Sequence, residues 1–150
     1  MNVNWSCKHF KDLSNKELYQ IFRLRLAVFV VEQNCPYQDA DGKDLKSLHV
    51  TGKQNDELIA YARIVLPGIS YQEVSIGRVV TSKEARRTGA GKILMKKSME
   101  CIKKEFGNVP VRISAQSYLQ KFYEGFGFKR VSDEYMEDDI PHVEMLFEPR

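Results

Sequence analysis

The chain has 150 residues, 43% of them hydrophobic and 29% charged, with a formal net charge of +3. This is the size of one ordinary domain, 1–150, with apolar content for one core and a composition unlike that of disordered chains. The longest apolar run, Leu26 to Val31, is too short to span a bilayer, and so small a net charge does not by itself imply nucleic-acid binding.

No basic-then-apolar leader pattern opens the chain, so the expected setting is cytoplasmic, with no membrane and no nucleic acid among its partners. Cys7, Cys35 and Cys101 are odd in number and widely spaced, and no CxxC pair occurs. A reduced compartment and no metal are expected, with Cys101 a small buried hydrophobe and Cys35 the thiol to watch.

Ser14 and Glu17 form a capping box that opens a first helix. Leu18, Ile21, Phe22, Arg25 and Phe29 then recur at three- and four-residue spacing up to Val31. Asn34-Cys35-Pro36 forces a turn, and an acidic loop follows through Asp39, Asp41 and Asp44, which reads as solvated. Strands are predicted over Leu48–Gly52, Leu58–Leu66 and Val74–Thr81. A basic turn leads into a long helix over about Gly89–Phe106, with Ile93, Leu94, Cys101 and Ile102 on its apolar face. A short strand over Val111–Ala115 is followed by a helix capped by Ser117 and carrying Phe122, Tyr123 and Phe126. Two late strands lie near Phe128–Val131 and His142–Phe147. The order predicts an α/β domain: one mixed sheet with helices on both faces.

Charge is unevenly placed. Lys83 to Lys97 carries six basic residues and one acid, whereas Asp133 to Glu144 carries six acids and no Lys or Arg. The basic segment runs from a strand into a helix that begins Gly89-Ala90-Gly91-Lys92. First-turn amides of a helix lack intrahelical partners, the dipole adds positive charge there, and glycine lets a phosphate approach the backbone. Arg86, Arg87 and Lys92 add cations, so the turn is an anion cradle. A P-loop is excluded, because Arg86 stands where its first glycine belongs and Ile93 where its Ser or Thr belongs. A dinucleotide fingerprint fails at Leu94.

The pattern that does fit is Arg-x-x-Gly-x-Gly at Arg86, Gly89 and Gly91. It resembles the pyrophosphate-binding motif of the GNAT family of acetyl-CoA-dependent N-acetyltransferases. The likeness extends over nearly the whole chain. Val74–Thr81 stands for the family's central strand, and Phe122-Tyr123-Glu124-Gly125-Phe126-Gly127-Phe128 for its tyrosine-bearing helix and Gly-Phe end. Phe29 to Asp39 and Ile140-Pro141-His142 are similar to an ElaA-like branch of that family.

The resemblance implies a mostly antiparallel sheet with a splayed strand pair and acetyl-CoA as co-substrate. A small-molecule or peptide amine is the implied acceptor, and a homodimer is compatible with it. It implies that the backbone of Val79 and Val80 grips pantetheine and polarises the thioester. The amides of Thr88, Gly89, Ala90, Gly91 and Lys92, flanked by Arg86 and Arg87, would take the pyrophosphate. Gln116 replaces a common asparagine at the cofactor. Tyr123 is the expected general acid for the thiolate, protonated at pH 7 because a phenol titrates near about 10. Glu32, His49 and His142 are the candidate general bases. Arg25, Arg63 and Arg78 are expected to form structural ion pairs with Glu32 or the acidic loop. A rival reading keeps acyl-CoA binding without chemistry. A further one, from the first helix, resembles acyl-homoserine-lactone synthases and implies a longer acyl donor.

Overall fold

The structure is a computed structural model that describes residues 2–150. Eight strands form one sheet in the order β1-β2-β3-β4-β5-β8-β6, with β7 paired to β8. They are β1 (Asn4–His9), β2 (Ser47–Gln54), β3 (Glu57–Val65), β4 (Val74–Thr81), β5 (Val111–Gln116), β6 (Phe128–Arg130), β7 (Tyr135–Glu137) and β8 (Ile140–Phe147). All pairings are antiparallel except β4 with β5. The helices are α1 (Asn15–Arg25), α2 (Ala90–Phe106) and α3 (Gln120–Glu124).

The Ser14–Glu17 capping box is formed as expected and starts α1. That helix runs on as a π-helical stretch over Leu26–Glu32, and its wider turns carry Phe29 and Glu32 to the open side of the sheet. β3 is buried from Leu58 to Val65, as a central strand must be when both faces are covered. One core joins its Ala60, Ala62 and Ile64 to Leu94, Met95 and Ile102 of α2. A second, smaller core joins Leu58, Tyr61 and Val80 to Ile21, Leu24 and Val28 of the first helix.

Two expectations about elements need correction. Ser117 does not cap α3: it begins a 3-10 turn over Ser117–Leu119, and Leu119 precedes the helix without a side-chain cap. Cys101 is not a lone buried hydrophobe. It forms a disulfide with Cys7, joining edge strand β1 to α2 across 94 residues of chain, against the reduced compartment expected from the cysteine spacing. Strands β1 and β7 were not expected from the sequence at all.

Irregularities on both edges of β4 open the sheet. Tyr61 pairs with Val80 but Arg63 pairs with Gly77, so two residues of β4, Arg78 and Val79, oppose one of β3, Ala62. Arg78 sits in this bulge at φ +51, left-handed backbone that a long side chain rarely adopts. On its other edge β4 pairs with β5 only at Val74–Val111 and Ser75–Arg112. Beyond those two pairs the strands separate, while β5 stays paired to β8 up to Gln116–His142.

Candidate active site

The separation of β4 from β5 opens a cavity of about 680 Å³. Its walls are β4 from Ser75 to Thr81, β5 from Ile113 to Gln116, and the end of the first helix at Phe29 and Glu32. Tyr123 of α3 and His142 of β8 also line it. Val79 and Val80 lie on one wall of the slot and Gln116 on the other.

The basic turn adjoins this cavity. Ser82 accepts from the Ala85 amide and starts a short 3-10 turn over Lys83–Ala85, and the Thr88 hydroxyl donates to the Ala85 carbonyl. Arg87 at φ +65 and Gly89 at φ +87 both take left-handed backbone, which turns the chain into α2. No side chain caps this helix, and its first bond runs from the Ile93 amide to the Gly89 carbonyl. The amides of Ala90, Gly91 and Lys92 precede that bond and are available to an anion. A β-carbon added at Gly89 meets nothing within 4 Å, so the approach is open. One added at Gly91 would lie 3.9 Å from Phe122, which sets α3 and its Tyr123 against the start of α2. Arg86 lines the cavity, whereas Arg87 to Gly91 lie beyond its wall and Lys92 borders a different groove.

The candidate proton-transfer groups separate clearly. Tyr123 is buried and lines the slot, and burial pushes its phenol well above the ordinary tyrosine value, so it stays protonated. Glu32 lines the slot too, but its carboxylate holds Arg86 with contacts of 2.6 and 2.8 Å. The Arg86 hydrogen bonds hold its pKa below the usual carboxylate range, which makes it a weak proton acceptor.

His49 is corrected. It is buried outside the cavity, with Nδ1 2.6 Å from the Tyr61 hydroxyl and Nε2 2.9 Å from the Asp44 carbonyl. A carbonyl only accepts, so Nε2 donates there and Nδ1 accepts from Tyr61. Both nitrogens are used inside the protein, and burial lowers the pKa as well. His142 is different: Nδ1 lies 2.7 Å from the Ile140 carbonyl, and Nε2 stands 3.4 Å from Glu137.

The acidic loop is not a solvated one. Asp39 and Asp44 are buried, and with Asp41 they bind three arginines. Arg25 contacts Asp39 at 2.9 Å and Asp44 at 2.7 Å; Arg63 contacts Asp41 at 2.8 Å and Asp44 at 3.1 Å. Arg78 reaches Asp39 at 3.1 Å and Asp41 at 3.3 Å. The loop thereby ties the first helix, β3 and the β4 bulge together behind the slot. Cys35 lines the cavity, but burial, then Asp138 and Asp139, push its thiol up, against a role as a reactive thiolate.

The geometry agrees with that of known proteins. A family profile described as an acetyltransferase (GNAT) domain matches residues 12–149. Protein ElaA of Escherichia coli is 46% identical over 148 residues, which is 97% of either chain. The crystal structure of Escherichia coli ElaA superposes with a TM-score of 0.93 at 45% identity, covering 98% of this chain and all of that one. A Pseudomonas aeruginosa crystal structure, described as an acyl-CoA N-acyltransferase, superposes with a TM-score of 0.94 at 43% identity, covering 97% of this chain and 99% of that one.

Proposed function

We propose, on the premise that this chain belongs to the GNAT acetyltransferase family, that it transfers an acetyl group from acetyl-CoA to a primary amine by direct attack in a ternary complex. The observation that carries the reading is the parting of β4 from β5 after Ser75–Arg112, beside an uncapped helix start. A slot between strands takes an extended arm, and free first-turn amides take the phosphates to which that arm is joined. The description of the Pseudomonas aeruginosa relative supports an acyl-CoA donor.

Acetyl-CoA supplies an activated thioester. The chain supplies position and charge stabilisation, the usual share of a protein in such transfers. In this reading Ala90, Gly91 and Lys92 hold the diphosphate through backbone amides, with Arg86 and Arg87 beside them. The backbone of Val79 and Val80, aimed into the slot by the Arg78 bulge, takes the arm and the thioester oxygen. Gln116 offers an amide to the arm from the opposite wall. Tyr123 donates a proton to the departing sulfur.

Thiol release from acetyl-CoA in the presence of polyamines, amino acids and peptide N-termini tests this reading, alongside calorimetry with CoA. We expect CoA uptake and amine-dependent release. Uptake with no release for any amine would leave a binding domain without chemistry, and no uptake would remove the reading altogether.

A further inference from the structure

We infer that His142 is the proton acceptor for the attacking amine, acting through Nε2, an inference that rests on the acyl-transfer reading above. His142 pairs with Gln116 at the last register of β5 with β8, where β4 has already left β5. It is only 7% exposed, yet it faces the same cavity as Tyr123, Val79 and Val80. Proton donor and acceptor thus share one slot.

The tautomer follows from the partners. Nδ1 lies 2.7 Å from the Ile140 carbonyl oxygen, which accepts and cannot donate, so Nδ1 carries the proton. In the neutral ring Nε2 then holds the lone pair. Its neighbour is the Glu137 carboxylate at 3.4 Å, an acceptor that gives Nε2 no proton. The ring is held in place by Tyr135, stacked at 6.1 Å between centroids and 24° between planes. Tyr135 is itself hydrogen-bonded to Ser114 of β5. The hairpin that brings these groups together is tight: Asp138 and Asp139 take φ +50 and +61, Glu137 pairs with Ile140, and Tyr135 pairs with His142. Tyr135 and Glu137 from β7 contact the ring, and Glu32, Cys35, Tyr71, Tyr118, Tyr123 and Asp138 are titratable groups that line the same cavity. β5 itself offers the Gln116 amide. His49, with both nitrogens satisfied by the protein, has none of this freedom.

The step balances. The amine nitrogen forms a bond to the thioester carbon and gives one proton to Nε2 of His142. The carbon–sulfur bond breaks with its electron pair on sulfur, and Tyr123 supplies the proton that makes the thiol. The products are an amide and CoA, and the proton on His142 returns to the Tyr123 oxygen through water.

Two measurements test this. In the CoA-saturated protein, long-range proton–nitrogen correlation of the His142 ring should show the neutral form protonated at Nδ1. A ring protonated at Nε2 would overturn the inference without any activity assay. In the thiol-release assay with an amine that the wild type accepts, His142→Gln should lower kcat by about 10²-fold or more. Its CoA affinity and melting temperature should stay at the wild-type values. Retained turnover in His142→Gln would overturn this inference alone. Absence of release from the wild type with every amine would overturn the acyl-transfer reading and the inference with it.

Discussion

Glu32 holds Arg86 across 54 residues of chain, through contacts of 2.6 and 2.8 Å at the mouth of the slot. Their side chains are 42% and 35% exposed, so solvent screens the pair and it adds little to stability. Its larger effect is on charge, because Arg86 is the first residue of the anion motif and Glu32 offsets it. Glu32→Gln is therefore expected to strengthen CoA binding about threefold, most clearly at low salt. Were Glu32 a general base, kcat would collapse with no gain in CoA affinity. Calorimetry and thiol release on the same variant separate these outcomes.

Tyr123 is buried, and burial raises its phenol well above its ordinary value. Tyr123→Phe should lower kcat by about 10²-fold while CoA affinity changes by less than about twofold. With the phenol protonated, kcat should show no alkaline fall due to Tyr123 below about pH 10. Equal losses in kcat and affinity would make it a packing residue.

The acidic loop predicts an acid limb in stability. Burial alone would raise Asp41, but hydrogen bonds and charge from Arg63, with the Lys43 amide and Arg78, bring it down to about 2. A carboxylate whose folded value is depressed stabilises the fold above its unfolded value, and that stabilisation is lost as pH falls through the folded one. Stability should thus decline between roughly pH 4 and pH 2. Asp41→Asn should weaken that slope in chemical denaturation; an unchanged slope would place the acid sensitivity elsewhere.

Cys7 and Cys101 close a long loop between β1 and α2. Such a link contributes about 2–4 kcal/mol, so reduction or Cys7→Ser should lower the melting temperature by about 5–15 °C. Intact mass after alkylation with and without reductant reports the bond directly. Three alkylated thiols without reductant would contradict it, whereas one identifies Cys35 as the free cysteine.

The sequence carried some of these features and hid others for physical reasons. The bounds of β4 were legible because its run is β-branched and ends in a turn of local chemistry. The start of α2 was legible to one residue, because glycine signals the change of backbone hand. β1 was missed because Asn4–His9 is a polar edge strand, specified by its register with β2 rather than by its own pattern. The Cys7–Cys101 bond and the Arg25, Arg63 and Arg78 network join distant segments, and periodicity has no access to such pairings. That is why Asp39 and Asp44 read as solvated although they are buried. His49 and His142 are both strand histidines by sequence. Only their surroundings distinguish a ring with both nitrogens bound inside the protein from one that lines the slot.

An anion site at the start of α2 can be probed at Gly89 without unfolding the helix. Aspartate tolerates left-handed backbone, a carboxylate at a helix start is favourable in itself, and a β-carbon there meets nothing within 4 Å. Gly89→Asp should therefore stay folded while placing a negative charge beside the diphosphate. Calorimetric titration with CoA at low salt should show affinity reduced by about 30-fold or more against wild type, with Gly89→Asn losing much less. Wild-type CoA affinity in the folded Gly89→Asp variant would contradict the account.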